Sequence, residues 1–136
     1  MPESLSETMP SLYVCTTCRA GRPLGEGQVA PGQRLHDAVA LLIGGASPVA
    51  LQPVALQPVA CLASCERGCT AAISAPGKWS YLLGGLTEEN AADLLTYGAA
   101  YAASRTGTVL PSKRPASLAR AILGRFPARN AQGNAA

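Results

Sequence analysis

The sequence predicts an α/β two-layer sandwich with a small mixed sheet and two to three helices. Three observations lead there. Short β-favouring runs alternate with longer segments of helical apolar spacing, Gly- and Pro-rich stretches separate them, and 136 residues suffice for one modest core but not comfortably for two. One domain is therefore expected over residues 11–127, with residues 1–10 and 128–136 as disordered ends.

The run SLYVC, Ser11 to Cys15, suits a buried strand that delivers Cys15 at its end. TTCRAGRPLGEGQVAPGQ reads as loop. RLHDAVALLIGG then sets Leu35, Ala38, Val39 and Leu42 on one helical stripe, ended by Gly44 and Gly45. His36 falls off that stripe and reads as an ordinary surface residue.

In PVALQPVALQPVA the pentapeptide Pro-Val-Ala-Leu-Gln occurs twice and begins a third time. A period of five fits neither strand nor helix, and each proline removes a ladder donor. The repeat is expected to lengthen the entry to a strand that forms beyond the last proline, at Val59-Ala60-Cys61-Leu62.

TAAIS and KWSYLLGG look like two strands joined by the Pro-Gly turn in APG, with Trp79, Tyr81 and Leu83 on one face. The second long helix begins at Thr87 as N-cap, with Glu88 and Glu89 complementing the helix dipole, and places Leu94, Tyr97 and Tyr101 on one face. RPASLARAILGRFP predicts a shorter third helix between Pro115 and Pro127.

Hydrophobic residues make up 48% of the chain and aromatic residues only 4%, so the core is aliphatic and Trp79, Tyr81, Tyr97 and Tyr101 stand out in it. MPESLSETMP lacks the basic flank and apolar run of a secretory signal. The apolar run Ala38 to Ile43 is far below the ~20 residues that cross a bilayer. A cytoplasmic protein without membrane partners is expected. Residues 1–93 carry five bases against eight acids, whereas residues 94–136 carry six bases and no acid. Such a basic end reads as a solvated face or a dock for an acidic protein; nucleic acid is disfavoured because aromatics that could stack on bases are nearly absent there.

The five cysteines fall in two clusters, Cys15-x2-Cys18 and Cys61-x3-Cys65-x3-Cys69. In a reducing compartment such clusters hold metal or do redox chemistry more often than they form disulfides, and an odd count opposes complete pairing. If the first two strands are parallel neighbours, the two loops after them converge, and four thiolates make a ligand set for an iron–sulfur cluster or zinc. A dithiol redox pair and merely buried thiols are the other readings. His36 is the only histidine, which excludes a Rieske centre and a binuclear hydrolase. No catalytic residue is assigned, and the chain is not expected to be an enzyme.

The segments LYVCTTCR, CLASCERGCTAAISAPGKWSYLLGGL and RPASLARAILGRFP resemble a family of small bacterial predicted metal-binding proteins linked to cobalamin-biosynthesis genes. That family is similar in turn to the thioredoxin-like, Shethna-type 2Fe-2S ferredoxins, whose CLGxC pattern CLASC approximates. The resemblance implies a thioredoxin-like fold and a one-electron carrier with a 2Fe-2S cluster on Cys15, Cys18, Cys61 and Cys65, serving corrinoid metabolism. Cys69 has no counterpart in those ferredoxins and is an alternative ligand or a nearby non-ligand. Arg19, Arg67, Gly68 and Lys78 would surround the cluster. A redox partner protein is implied, and also a homodimer, for which Trp79 and Tyr81 offer a contact face unless they pack under the second helix. The rival readings are a protein that holds or delivers zinc or cobalt with the same thiols, and a structural adaptor whose cysteines are incidental.

Overall fold

The computed structural model describes residues 9–17, 25–45, 54–60, 62 and 69–128. Its elements run β1 (Ser11–Cys15), α1 (Pro31–Gly45), β2 (Ala55–Val59), β3 (Ala71–Ser74), β4 (Ser80–Leu83), α2 (Ala91–Ala103) and β5 (Ile122–Phe126). The strands form one mixed sheet in the order β2-β1-β3-β4-β5. β1 and β2 are parallel and every other neighbouring pair is antiparallel.

Strand alternation sorts the sheet into two faces. Leu12 and Val14, Ala71 and Ile73, and Tyr81 and Leu83 form a buried row across three strands, packed with Leu35 and Val39 of α1 and Leu94, Tyr97 and Tyr101 of α2. The alternate residues Ser11, Tyr13, Ala72, Ser74, Ser80 and Leu82 are half-buried. The expected two-layer α/β arrangement is thus present.

Local chemistry accounts for much of this. Ala75-Pro76-Gly77-Lys78 turns β3 into β4, closed by Lys78 N–H donating to the Ala75 carbonyl (3.2 Å), with Gly77 at φ +74° where a type II turn requires a positive φ. Thr87 accepts a hydrogen bond from Glu89 N–H, while its own N–H donates to the Asn90 side chain (2.7 Å), capping the 3₁₀ turn that opens α2. Tyr81 meets Tyr97 and Tyr101 edge-to-face, with centroids 6.2 and 6.3 Å apart.

Several expectations are corrected. No third helix forms at the C-terminal end: Ala116–Leu118 is a single 3₁₀ turn, and Ile122–Phe126 is the strand β5. Gly124 weakens a helix there and Pro127 stops one, while the edge of β4 supplies backbone partners that local sequence does not reveal. β2 lies inside the proline repeat rather than beyond it. Ala55 N–H donates to the Pro10 carbonyl and the Val59 carbonyl accepts from Thr16 N–H, both at 2.8 Å, so alternation turns Pro58 outward on an edge strand where its missing N–H costs nothing.

α1 begins at Pro31, earlier than its apolar stripe suggests, as suits proline in a first helical turn. Leu42 is 43% exposed rather than part of the core. His36 is part-buried, not an open surface residue, with Nδ1 3.1 Å from Asp37 Oδ1. Of the two placements expected for Tyr81, the structure shows packing under α2, at 1% exposure, rather than a contact face. Of the ends expected to be disordered, 1–10 and 128–136, residues 1–8 and 129–136 lie outside the described residues.

Candidate metal centre

β1 and β2 end side by side, with Cys15 opposite Val59. Three hydrogen bonds tie the chain after β1 to the end of β2. Thr16 N–H (2.8 Å) and Thr16 Oγ1 (3.2 Å) both donate to the Val59 carbonyl, and Thr17 Oγ1 donates to the Ala60 carbonyl. Cys15 is 2% exposed, and its thiol lies 3.6 Å from that same carbonyl. Ala60 immediately precedes Cys61 in sequence, so the starts of both cysteine-bearing loops are held at one end of the sheet. The clamp uses the two residues between Cys15 and Cys18. Read for its cysteines alone, CTTC conceals this role; the paired threonines, hydroxyl donors in a strand-end position, were the available signal.

Cys69 is fully buried in the hydrophobic core. Its N–H donates to the Leu86 carbonyl (3.2 Å) and its carbonyl accepts from Leu86 N–H (3.0 Å), which fixes it by backbone at the start of β3. Lys78 is placed elsewhere than expected. It follows the β3–β4 turn, at the end of the sheet opposite Cys15, a strand length of roughly 13–17 Å away. Its Nζ donates to the Tyr101 (3.1 Å) and Ala102 (2.8 Å) carbonyls at the end of α2, so it caps a helix rather than surrounding a metal. Partial desolvation there lowers its pKa. Cys18, Cys61, Cys65, Arg19, Arg67 and Gly68 lie outside the described residues. Among the described residues no three His, Cys, Asp or Glu side chains gather to hold a metal ion, and no helix is long and apolar enough to cross a membrane.

A family model described as a protein of unknown function, DUF1636, matches residues 12–128, from the first strand through the last. The chain belongs to the DUF1636 family. Among solved structures, this DUF1636 protein is similar to a thioredoxin-like [2Fe-2S] ferredoxin from Aquifex aeolicus. The TM-score is 0.54 at 17% identity, over 87% of this chain and 93% of that one. The wild-type crystal structure of that ferredoxin gives 0.53 at 16% identity, over 86% and 98%. A cysteine-to-serine variant of it gives 0.52 at 17%, over 85% and 98%. No curated protein matches the chain. At these identities the likeness establishes the fold, which is thioredoxin-like as the resemblance implied.

Proposed function

We propose that this DUF1636 protein is a one-electron carrier that holds a 2Fe-2S cluster on Cys15, Cys18, Cys61 and Cys65. The observation that carries this reading is the Cys15–Val59 register, with the threonine clamp that brings the starts of the two cysteine loops together. The ferredoxin fold supports it. The donor set suits the group: four thiolates are the usual ligands of such a cluster, and Cys15 is shielded from water. Two of the similar structures are serine variants at cysteines four positions apart, the separation of Cys61 from Cys65 and of Cys65 from Cys69. Cys69 is a fifth thiol beyond the four that the cluster needs and is assigned no ligand role.

When bound, the cluster supplies reversible one-electron chemistry. The chain's own part is to present thiolates from two loops, to hold those loops in register through Thr16 and Thr17, and to exclude water around Cys15. No bond-changing catalysis is assigned to it. Its partner would be a redox protein. Neither the family match nor the structural neighbours carries the corrinoid connection expected from the resemblance.

The test is visible absorption and EPR of protein purified without oxygen, before and after dithionite, with iron, sulfide and zinc analysis. About two irons per chain and a spin-half signal on reduction are expected. Cys65→Ser should abolish that signal and Cys69→Ser should leave it nearly intact. A colourless protein with stoichiometric zinc would overturn the reading in favour of a metal-holding protein, and equal loss in both variants would overturn the ligand assignment.

A further inference from the structure

The sheet has two edges, β2 and β5, and they are built differently. β2 carries Pro58 at an outward position, where it offers no N–H to another strand. β5 contains no proline before Pro127, and among the described residues no strand pairs with its outer side. Leu123 is 37% and Phe126 59% exposed on it, and the Arg125 guanidinium lies 4.4 Å over the Trp79 ring.

The part of the sequence that carries this edge is basic. Arg105, Lys113, Arg120 and Arg125 are exposed, Arg114 is part-buried with Nε donating to the Val109 carbonyl, and residues 94–136 contain no acid. Among the described residues the ion pairs are Arg34–Glu88 and His36–Asp37, so none of the five cations is neutralised by a carboxylate.

We propose that the outer edge of β5 is a docking site for an extended acidic segment of a partner protein, which adds to the sheet as a sixth strand. An unpaired strand edge presents alternating N–H and C=O groups, which match a peptide backbone and give affinity without regard to sequence. Carboxylates on one face of the incoming strand meet Arg125, which shares the face of Tyr81, with Arg120 just before the strand adding charge. Apolar residues on the other face cover Phe126, which shares the face of Ser80. A second copy of this chain fits poorly, because β5 against β5 brings the arginines of both copies together, and opposed like charges destabilise a strand pair. Nucleic acid fits poorly as well: half of the edge groups are carbonyl acceptors that repel phosphate, and the Trp79 face is covered by Arg125. The site uses no cysteine, so it stands or falls apart from the electron-carrier reading.

The experiment is a fluorescence anisotropy titration of a short fluorescein-labelled peptide of alternating glutamate and valine with the full-length protein. Saturable binding that weakens with added salt is expected. The double variant Arg120→Gln/Arg125→Gln should weaken it about tenfold, while Arg34→Gln on α1 leaves it unchanged. The same peptide N-methylated at alternate residues along one edge should bind about tenfold more weakly to the wild-type protein, a comparison that needs no variant to fold. Several results overturn the proposal: no binding, equal binding of the N-methylated peptide, indifference to the arginine substitutions, or displacement of the peptide by a single-stranded oligonucleotide of higher affinity. So does self-association through β5 that blocks the peptide.

Discussion

Gly107 closes the chain just beyond α2 at φ +85°, a conformation in which an L side chain is strained. A Cβ there would stand 2.8 Å from Lys78 Cβ, 2.9 Å from Tyr101 Cε1 and 3.0 Å from Trp79 N. None of these can yield easily. Lys78 is held by its bonds to α2, Trp79 N–H donates to the Thr106 carbonyl (2.8 Å), and the Tyr101 hydroxyl donates to the Trp79 carbonyl. Gly107→Ala should therefore cost about 1 kcal/mol for the left-handed backbone and roughly 1–3 kcal/mol for overpacking. The total, about 2–4 kcal/mol, is a large share of the roughly 5–15 kcal/mol that holds a domain folded.

Gly77→Ala is the internal control. Gly77 has a similar φ of +74° but open space around its Cβ position, so only the backbone term of about 1 kcal/mol applies. Urea denaturation monitored by far-UV circular dichroism measures both, and Gly107→Ala should lose at least about 1 kcal/mol more than Gly77→Ala. Equal losses would refute the claim that Gly107 is required by close packing among Lys78, Trp79 and Tyr101.

Three further outcomes are expected. The buried Tyr97 hydroxyl has no hydrogen-bond partner, whereas that of Tyr101 does; in calorimetry, Tyr97→Phe should stabilise by about 1 kcal/mol and Tyr101→Phe destabilise by about as much. Burial raises the pKa of Tyr97 and pushes that of Tyr101 up to about 12. The neutral phenols are thus favoured by folding, and their contribution is full below the ordinary tyrosine pKa of about 10 and lost as pH climbs through 12. Phenolate absorbance and circular dichroism should accordingly change together over that range, and a phenolate titration completed before any loss of structure would contradict the burial. Thr17→Val removes one bond of the clamp, worth about 0.5–1 kcal/mol, so a reconstituted cluster should be lost to a chelator about two- to fivefold faster, read by visible absorption.

What was legible in the sequence was local. The turn Ala75–Lys78 follows from Pro76 and Gly77, the start of α2 from Thr87, and the buried face of that helix from the spacing of Leu94, Tyr97 and Tyr101, because each depends on residues a few positions apart. The two cysteine-bearing loops could be matched to the ends of neighbouring strands, but not the threonine bonds that hold them, since the partners Thr17 and Ala60 lie 43 residues apart.

Tertiary pairing decided the rest. Ile122–Phe126 is short and contains Gly124, so its intrinsic preference is weak, and the free edge of β4 makes it a strand. Pro58 reads as a strand breaker until the sheet order makes β2 an edge and the hydrogen-bond alternation turns position 58 outward. Lys78 reads as a cation near the cysteines in a linear map, and antiparallel pairing carries it to the far end of the sheet, onto the end of α2. The sequence by itself determined the turns, the caps and the apolar faces, whose energies are local. Which end of the sheet each side chain occupies was decided only when distant strands paired.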